Sequence, residues 1–431
     1  MPGIKEEYQF FCGQPRPMRM LLLTNMAYAF AIPVIELFIG AYIIRKSDDV
    51  SLVMVYQLAQ GTGIPVTFVL NGYLLRKIPI ARLYAAGMII SGLDMAVMML
   101  LPQLEMAGIT LIGFIMGLSY GFFWANRVSL ALTSTRNFNR NYYYGLESFF
   151  FTMASIIMPL LSGYFIAATQ KFGWLGGNIN GAYRVLTALV ILLTLVASVI
   201  AIRGRFQNPP SARFIYFKFH RLWNKLLGMA ALKGVAQGFV IAAPVMLIMK
   251  LVGNEGSVGS IQSAGALLSA AMLYILGRKT SARHRNAIFI AGLGLFVVGA
   301  AVNMILYNAA GAIIFVGCMV FSRPLLDLAY YPIQLGVIEC VASKEQRNQF
   351  AYIFSHEIGL YTGRMFGCML FILIARFISE DTALRYVLLA VAVVQFASIF
   401  VARSIQHDRE WCEVSESKLI VPQELKEPAE L

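Results

Sequence analysis

Arg127 and Glu147 stand on either side of a short basic, tyrosine-rich turn in the stretch GFFWANRVSLALTSTRNFNRNYYYGLESFFF, residues 121–151. Each lies in an apolar run long enough to cross a bilayer. Charge in hydrocarbon is expensive, so each needs an opposite charge, water or a solute as partner. Paired with one another, they would either tighten a helix bundle or anchor a solute in a water-filled cavity. Trp124 and Asn126 add an aromatic face and an amide to that anchor.

Other apolar runs carry similar groups. Arg323-Pro-Leu-Leu-Asp327 puts Arg and Asp at i, i+4 on one helical face, which suits either an internal pair or a solute clamp. Asp327 lies 201 residues after Asn126. His356 and Glu357, followed by Arg364, could relay protons, because His titrates near neutrality; consecutive helical residues face different ways, so the two need not touch. Glu36 follows Pro33 by three residues and is expected to face a cavity, whereas Asp94 is expected to make an interhelical hydrogen bond. Lys233 and Gln237 share a helical face, and Gln57, Gln60, Tyr120, Tyr330 and Tyr331 are further polar or aromatic candidates.

Several chemistries find no support. The four histidines form no cluster with Asp or Glu, so no metal site is expected. No Gly-rich phosphate loop is present, so neither ATP nor any cofactor is expected. The five cysteines show no paired spacing, and disulfides are not expected.

The elements that must position these groups follow from composition. The 431 residues are 58% hydrophobic and 13% charged, with mean hydropathy +0.69, about half the charge of a soluble domain. Apolar runs mark twelve helices, near 19–44, 51–75, 83–102, 108–134, 143–169, 182–203, 224–250, 257–277, 286–307, 310–340, 350–376 and 383–404. The first run is too long for a signal peptide and reads as a retained helix. An even count puts both termini on one side. The loops opposite the termini hold only Arg45, Lys46, Lys171, Arg184, Lys250, Arg376 and Arg385 of the 35 Lys and Arg, and most of the rest lie on the terminal side. That asymmetry makes both termini cytoplasmic. It also explains the net charge of +13 without a nucleic-acid partner.

The basic, aromatic segment 203–223 divides the chain into halves 1–202 and 224–404, and is expected to lie on anionic lipid. Residues 405–431 turn acidic and are expected to be disordered. The halves look like repeats: Tyr73-Leu-Leu-Arg-Lys-Ile-Pro-Ile-Ala-Arg82 and Tyr274-Ile-Leu-Gly-Arg-Lys-Thr-Ser-Ala-Arg283 follow the second and eighth helices at the same spacing. Arg76, Lys77, Arg82, Arg278, Lys279 and Arg283 are therefore read as gating-loop residues.

On this ground the chain resembles the major facilitator superfamily along essentially its whole length. Gly72, Leu74, Arg76, Lys77 and Arg82 fit that family's loop after helix two, although its acidic residue is missing. Gly113, Gly117 and Gly121 keep the small residues of helix four. Met158-Pro-Leu-Leu-Ser-Gly163 is a degenerate form of the antiporter motif of helix five. The resemblance implies an all-α membrane fold of two six-helix pseudo-repeats, with helices one, four, seven and ten around a central cavity. It implies a monomeric secondary transporter of the cell inner membrane working by alternating access. Intramembrane carboxylates suggest coupling to protons through Glu147, Glu357 or Asp327, and arginines near aromatics suggest a sugar-like solute or organic anion. Export of amphipathic drugs or lipid-linked solutes is the alternative, and a non-transporting sensor or membrane enzyme a remote one.

Overall fold

The computed structural model describes residues 4–101, 103–135, 137–208, 215–279, 285–347 and 349–408. Among these there is no strand. In hydrocarbon every backbone N–H and C=O must be satisfied within the chain, and a helix does this segment by segment. Twelve helices are long and apolar enough to span a membrane: Arg16–Ser47, Val50–Leu74, Ile80–Leu100, Met106–Ala131, Tyr142–Phe172, Ile179–Arg203, Arg221–Leu251, Glu255–Leu276, Asn286–Leu306, Ala309–Glu345, Ala351–Phe377 and Glu380–Asp408. A further short helix, Ile4–Cys12, precedes them. Apolar side chains such as Leu192, Leu195 and Val199 on the sixth span stay exposed, the surface that lipid would cover.

The first and seventh spans are each broken. Helix Arg16–Ala29 gives way to Ile32–Ser47 with Pro33 in its first turn. Helix Arg221–Val240 gives way to Ala243–Leu251 with Pro244 in its first turn. Proline withholds an amide donor and clashes with the preceding turn, so each break sits where the sequence removes a helix hydrogen bond.

Packing follows the repeat. The second span packs on the fourth, the third on the fourth and sixth; the eighth packs on the tenth, and the ninth on the tenth and twelfth. Across the middle, the second span meets the eleventh and the fifth meets the eighth. The fifth–eighth contact is a close backbone approach, since a Cβ on Gly163 would stand 2.6 Å from the carbonyl oxygen of Glu255. Gly259→Val places a side chain against the Pro159 carbonyl. It is expected to lower Tm and yield of folded protein far more than Gly294→Ala, which meets open space; equal loss for both would show that the approach is not needed.

Two expectations change. The last helix continues to Asp408, where a Lys225 salt bridge of 2.7 Å ties it to the seventh span, so disorder does not begin at 405. Cys340 is disulfide-bonded, contrary to expectation, while Cys12, Cys318 and Cys368 are free. Spacing could not show that bond, because disulfides depend on three-dimensional proximity. Arg283, residues 209–214 of the linker and residues 409–431 lie outside the described residues.

Candidate solute-binding cavity

Two lobes meet at Glu36 and Ile241 in the middle of the bundle. One, of about 470 Å³, is walled by the first, fifth, seventh, eighth and tenth spans, with Glu36, Ser155, Gln262, Ser269, Arg323 and Asp327 as its polar lining. The other, of about 440 Å³, is walled by the second, fourth, seventh, tenth and eleventh spans and contains Tyr56, Gln60, Tyr120, Trp124, Tyr331, His356, Glu357 and Arg364. A smaller chamber of about 100 Å³ behind Lys233, Arg323 and Asp327 reaches Gln395 on the twelfth span. The expected helices one, four, seven and ten all contribute, joined by four others.

The charges of these walls fall into two classes. Most are paired. Lys233 reaches Asp327 at 2.9 Å and sits 4.1 Å and 4.4 Å from the ring centroids of Tyr330 and Tyr331. The expected i, i+4 pair within the tenth span is therefore replaced by one between the seventh and tenth. An ammonium held over two aromatic faces loses less on leaving water than a bare one, which favours the interhelical partner. Arg364 binds Glu357 at 2.7 Å, two turns along one helix. His356 instead shares a 2.6 Å hydrogen bond with the Tyr330 hydroxyl, so the His–Glu neighbours do face apart.

Glu36 and Arg323 form the other class. Both are exposed to the first lobe, from opposite halves, and neither makes an ion pair or hydrogen bond within the described residues. They stand within electrostatic reach of each other. A carboxylate and a guanidinium that face one cavity unpartnered are available to a ligand or a proton.

Arg127 and Glu147, expected in the site, are not among the side chains lining either lobe. Arg127 grips Glu147 bidentately, at 2.9 Å through Nε and 2.6 Å through Nη2. Tyr143 donates to the same carboxylate at 2.7 Å, Asn25 of the first span donates to it as well, and Tyr84 of the third span donates to Asn25. The guanidinium lies 5.0 Å from the Trp124 ring and 5.3 Å from Phe151. This is a closed network tying the first, third, fourth and fifth spans. Asn126 is likewise spent, exchanging hydrogen bonds of 3.0 Å and 2.9 Å with Asn71 of the second span. Of that stretch, Trp124 reaches the second lobe and Phe151 the first.

At the face opposite the termini, ion pairs cross between the first and last six spans. Glu255 accepts a bidentate grip from Arg45 and a 3.0 Å hydrogen bond from Tyr183. Asp49 binds Arg376 at 2.9 Å, and Glu380 accepts from the Val50 amide at 3.1 Å and from Lys250 at 3.2 Å. At the terminal face the crossing contact is apolar, with Phe68 and Ala125 against Ala351 and Phe354. Sequence reasoning missed Arg45, Asp49, Glu255 and Glu380 because charges at span ends are ordinary; their only signal was that four opposite-sign residues occupied facing loops.

No protein-family model matches the chain. It is 22% identical over 372 residues to the Bacillus subtilis (strain 168) "Uncharacterized protein YqgE", covering 84% of each chain. Its structure resembles a bacterial homologue of the human lysosomal transporter Spinster in an inward-facing, unoccupied conformation, with TM-score 0.63 and 14% identity over 92% of this chain and 99% of that one. It equally resembles the nucleoside transporter NupG, with TM-score 0.63 and 10% identity over 91% of this chain and all 100% of the other. The chain has the major facilitator fold.

The acidic residue that the resemblance implies for the loop after the second span is absent here. Asn208 of the linker occupies that loop instead. Its side chain accepts from the Ile80 amide at 2.7 Å and donates to the carbonyls of Leu75 and Ile78 at 3.0 Å and 3.2 Å. Of the expected gating residues, Arg76 packs 5.5 Å from the Tyr73 ring, and Arg278 and Lys279 end the helix that begins at Glu255. The linker thus caps the third span and ties the loop through a backbone-directed amide rather than through a charge.

Proposed function

We propose that this chain is a secondary transporter that carries a small solute, a sugar-like compound or an organic anion, by alternating access coupled to protons. The observation that carries the reading is the pair Glu36 and Arg323, unpartnered in one lobe and supplied by opposite halves. Arg323 offers the forked donors that recognise a carboxylate. Glu36 opposes an anion while ionised and admits one when protonated, so proton and anion enter together. Glu147, Glu357 and Asp327 are worse carriers of the coupling proton, because each already neutralises a cation. Rocking of residues 1–202 against 224–404 would break the Arg45–Glu255 and Asp49–Arg376 pairs and the Val50–Glu380 hydrogen bond and expose the lobes to the other face. The excess of Lys and Arg on the terminal side supports cytoplasmic termini in the inner membrane.

The test is transport in proteoliposomes against a panel of sugars, sugar acids and other organic anions. Arg323→Gln is expected to weaken solute binding by about 30-fold or more, since losing one partner of a desolvated charge contact costs about 2–5 kcal/mol. Glu36→Gln should keep solute exchange yet lose accumulation driven by a pH gradient. Accumulation unchanged in Glu36→Gln would remove it from the coupling step. No movement of any solute class under any gradient would remove the transporter reading itself.

A further inference from the structure

Behind the second lobe lies a group of polar atoms that the transport reading does not use. Asp94 of the third span is 3% exposed, and both its carboxylate oxygens are buried without a hydrogen-bond partner. The hydroxyls of Tyr56 on the second span and Tyr120 on the fourth are also buried and unpartnered. Each tyrosine is within electrostatic reach of Asp94, and Tyr120 of Tyr56 as well. Both tyrosines line the lobe, and Asp94 does not.

The neighbouring polar groups are already spent. On the first span Tyr28 donates to Ser91 at 3.0 Å, and Ser91 donates to the Met88 carbonyl at 2.7 Å. On the fourth span Ser119 donates to the Gly87 carbonyl, and on the sixth Thr194 and Ser198 donate to backbone carbonyls. Glu36, on the first span, is the other carboxylate that reaches these tyrosines. No Lys, Arg or His among the described residues forms an ion pair with Asp94.

We infer that Asp94, Tyr56 and Tyr120 form a binding site for a small alkali cation, sodium in the first instance, separate from the solute site. A lone carboxylate at this depth is costly until something neutralises it. A proton would neutralise Asp94 but leave most of the unpartnered oxygens unsatisfied. A hard cation answers both needs at once, because it takes carboxylate and hydroxyl oxygens as ligands. No group of three His, Cys, Asp or Glu occurs among the described residues, so the donor set does not suit a transition metal. The two tyrosines provide the route of entry from the lobe.

The purified full-length chain should therefore bind ²²Na⁺ saturably at about one ion per chain, competed by unlabelled sodium and not by choline. Its Tm should rise by roughly 1–3 °C when sodium replaces choline at constant ionic strength. Asp94→Asn should lose both effects and, in choline, match or exceed the wild type in Tm, because the uncompensated charge is gone. Should Asp94→Asn not fold, Tyr56→Phe and Tyr120→Phe remove only the hydroxyls and are expected to weaken sodium binding several-fold. A wild type indifferent to sodium, sodium binding that survives Asp94→Asn, or stabilisation that follows acid alone would each overturn the assignment, the last by making Asp94 a proton site.

Discussion

Glu147→Ala is expected to destabilise the chain by about 3–5 kcal/mol, the cost of leaving one member of a buried ion pair behind. Glu147 is 2% exposed, and its carboxylate collects Arg127, Tyr143 and Asn25. Its removal strands a guanidinium in the bundle and frees two donors, Tyr143 on its own span and Asn25 on the first. In thermal unfolding this should appear as a fall in Tm of roughly 3–6 °C. The double variant Arg127→Ala/Glu147→Ala should recover much of the loss, because no charge is then left alone. If the double variant is as unstable as the sum of the singles, the pair is not the unit argued here. If Glu147→Ala is as stable as wild type but inactive, the carboxylate belongs to the transport step and not to the scaffold.

Glu255→Gln is expected to release the face opposite the termini. Hydrogen bonds to charged groups contribute about 1.5–3 kcal/mol each, and this one carboxylate takes a bidentate arginine and a tyrosine. Its loss should raise the population open to that face by roughly 10-fold or more. A cysteine placed at Gln262, on the wall of the first lobe, reports this through labelling by an impermeant maleimide added to that face. Labelling should rise in Glu255→Gln and fall back when solute is bound from the terminal face. Unchanged labelling would mean that the fifth–eighth backbone contact, and not the Arg45 pair, holds the face shut.

Mild acid should not have the same effect at the neighbouring pair. Burial pushes the Asp49 carboxyl upward, but the Ser51 hydroxyl, the neighbouring Glu380 carboxyl, the Arg376 guanidinium and the Ser51 amide together outweigh it and hold the group below its ordinary value. A depressed carboxylate contributes stability that is complete above its unfolded value and is lost only as pH falls through the lower folded one. The Tm difference between wild type and Asp49→Asn should therefore stay constant from pH 7 to pH 5 and shrink below about pH 4. A difference that vanishes by pH 5.5 would contradict this placement of Asp49.

Much of the molecule is dictated by the order of its residues. Length and apolarity determine the twelve spans, because each helix satisfies its own backbone in lipid and needs no neighbour to do so. The Tyr73–Arg82 and Tyr274–Arg283 loops and the glycines of the fourth span pointed to the major facilitator fold for the same local reason. Partnership of the charges is different in kind. Arg323 and Asp327 share a helical face, yet Asp327 is taken by Lys233, 94 residues away. Arg127 and Glu147 were legible as a pair, but not the Asn25 and Tyr84 contacts that close the network away from the cavity. Glu36 and Asp94 drew different expectations, a cavity for one and an interhelical hydrogen bond for the other; packing leaves Glu36 facing a lobe but Asp94 buried with both carboxylate oxygens unpartnered. Which ion finds which counter-ion is a property of helices meeting across long separations, and the free charges of the cavity are whatever that pairing leaves over.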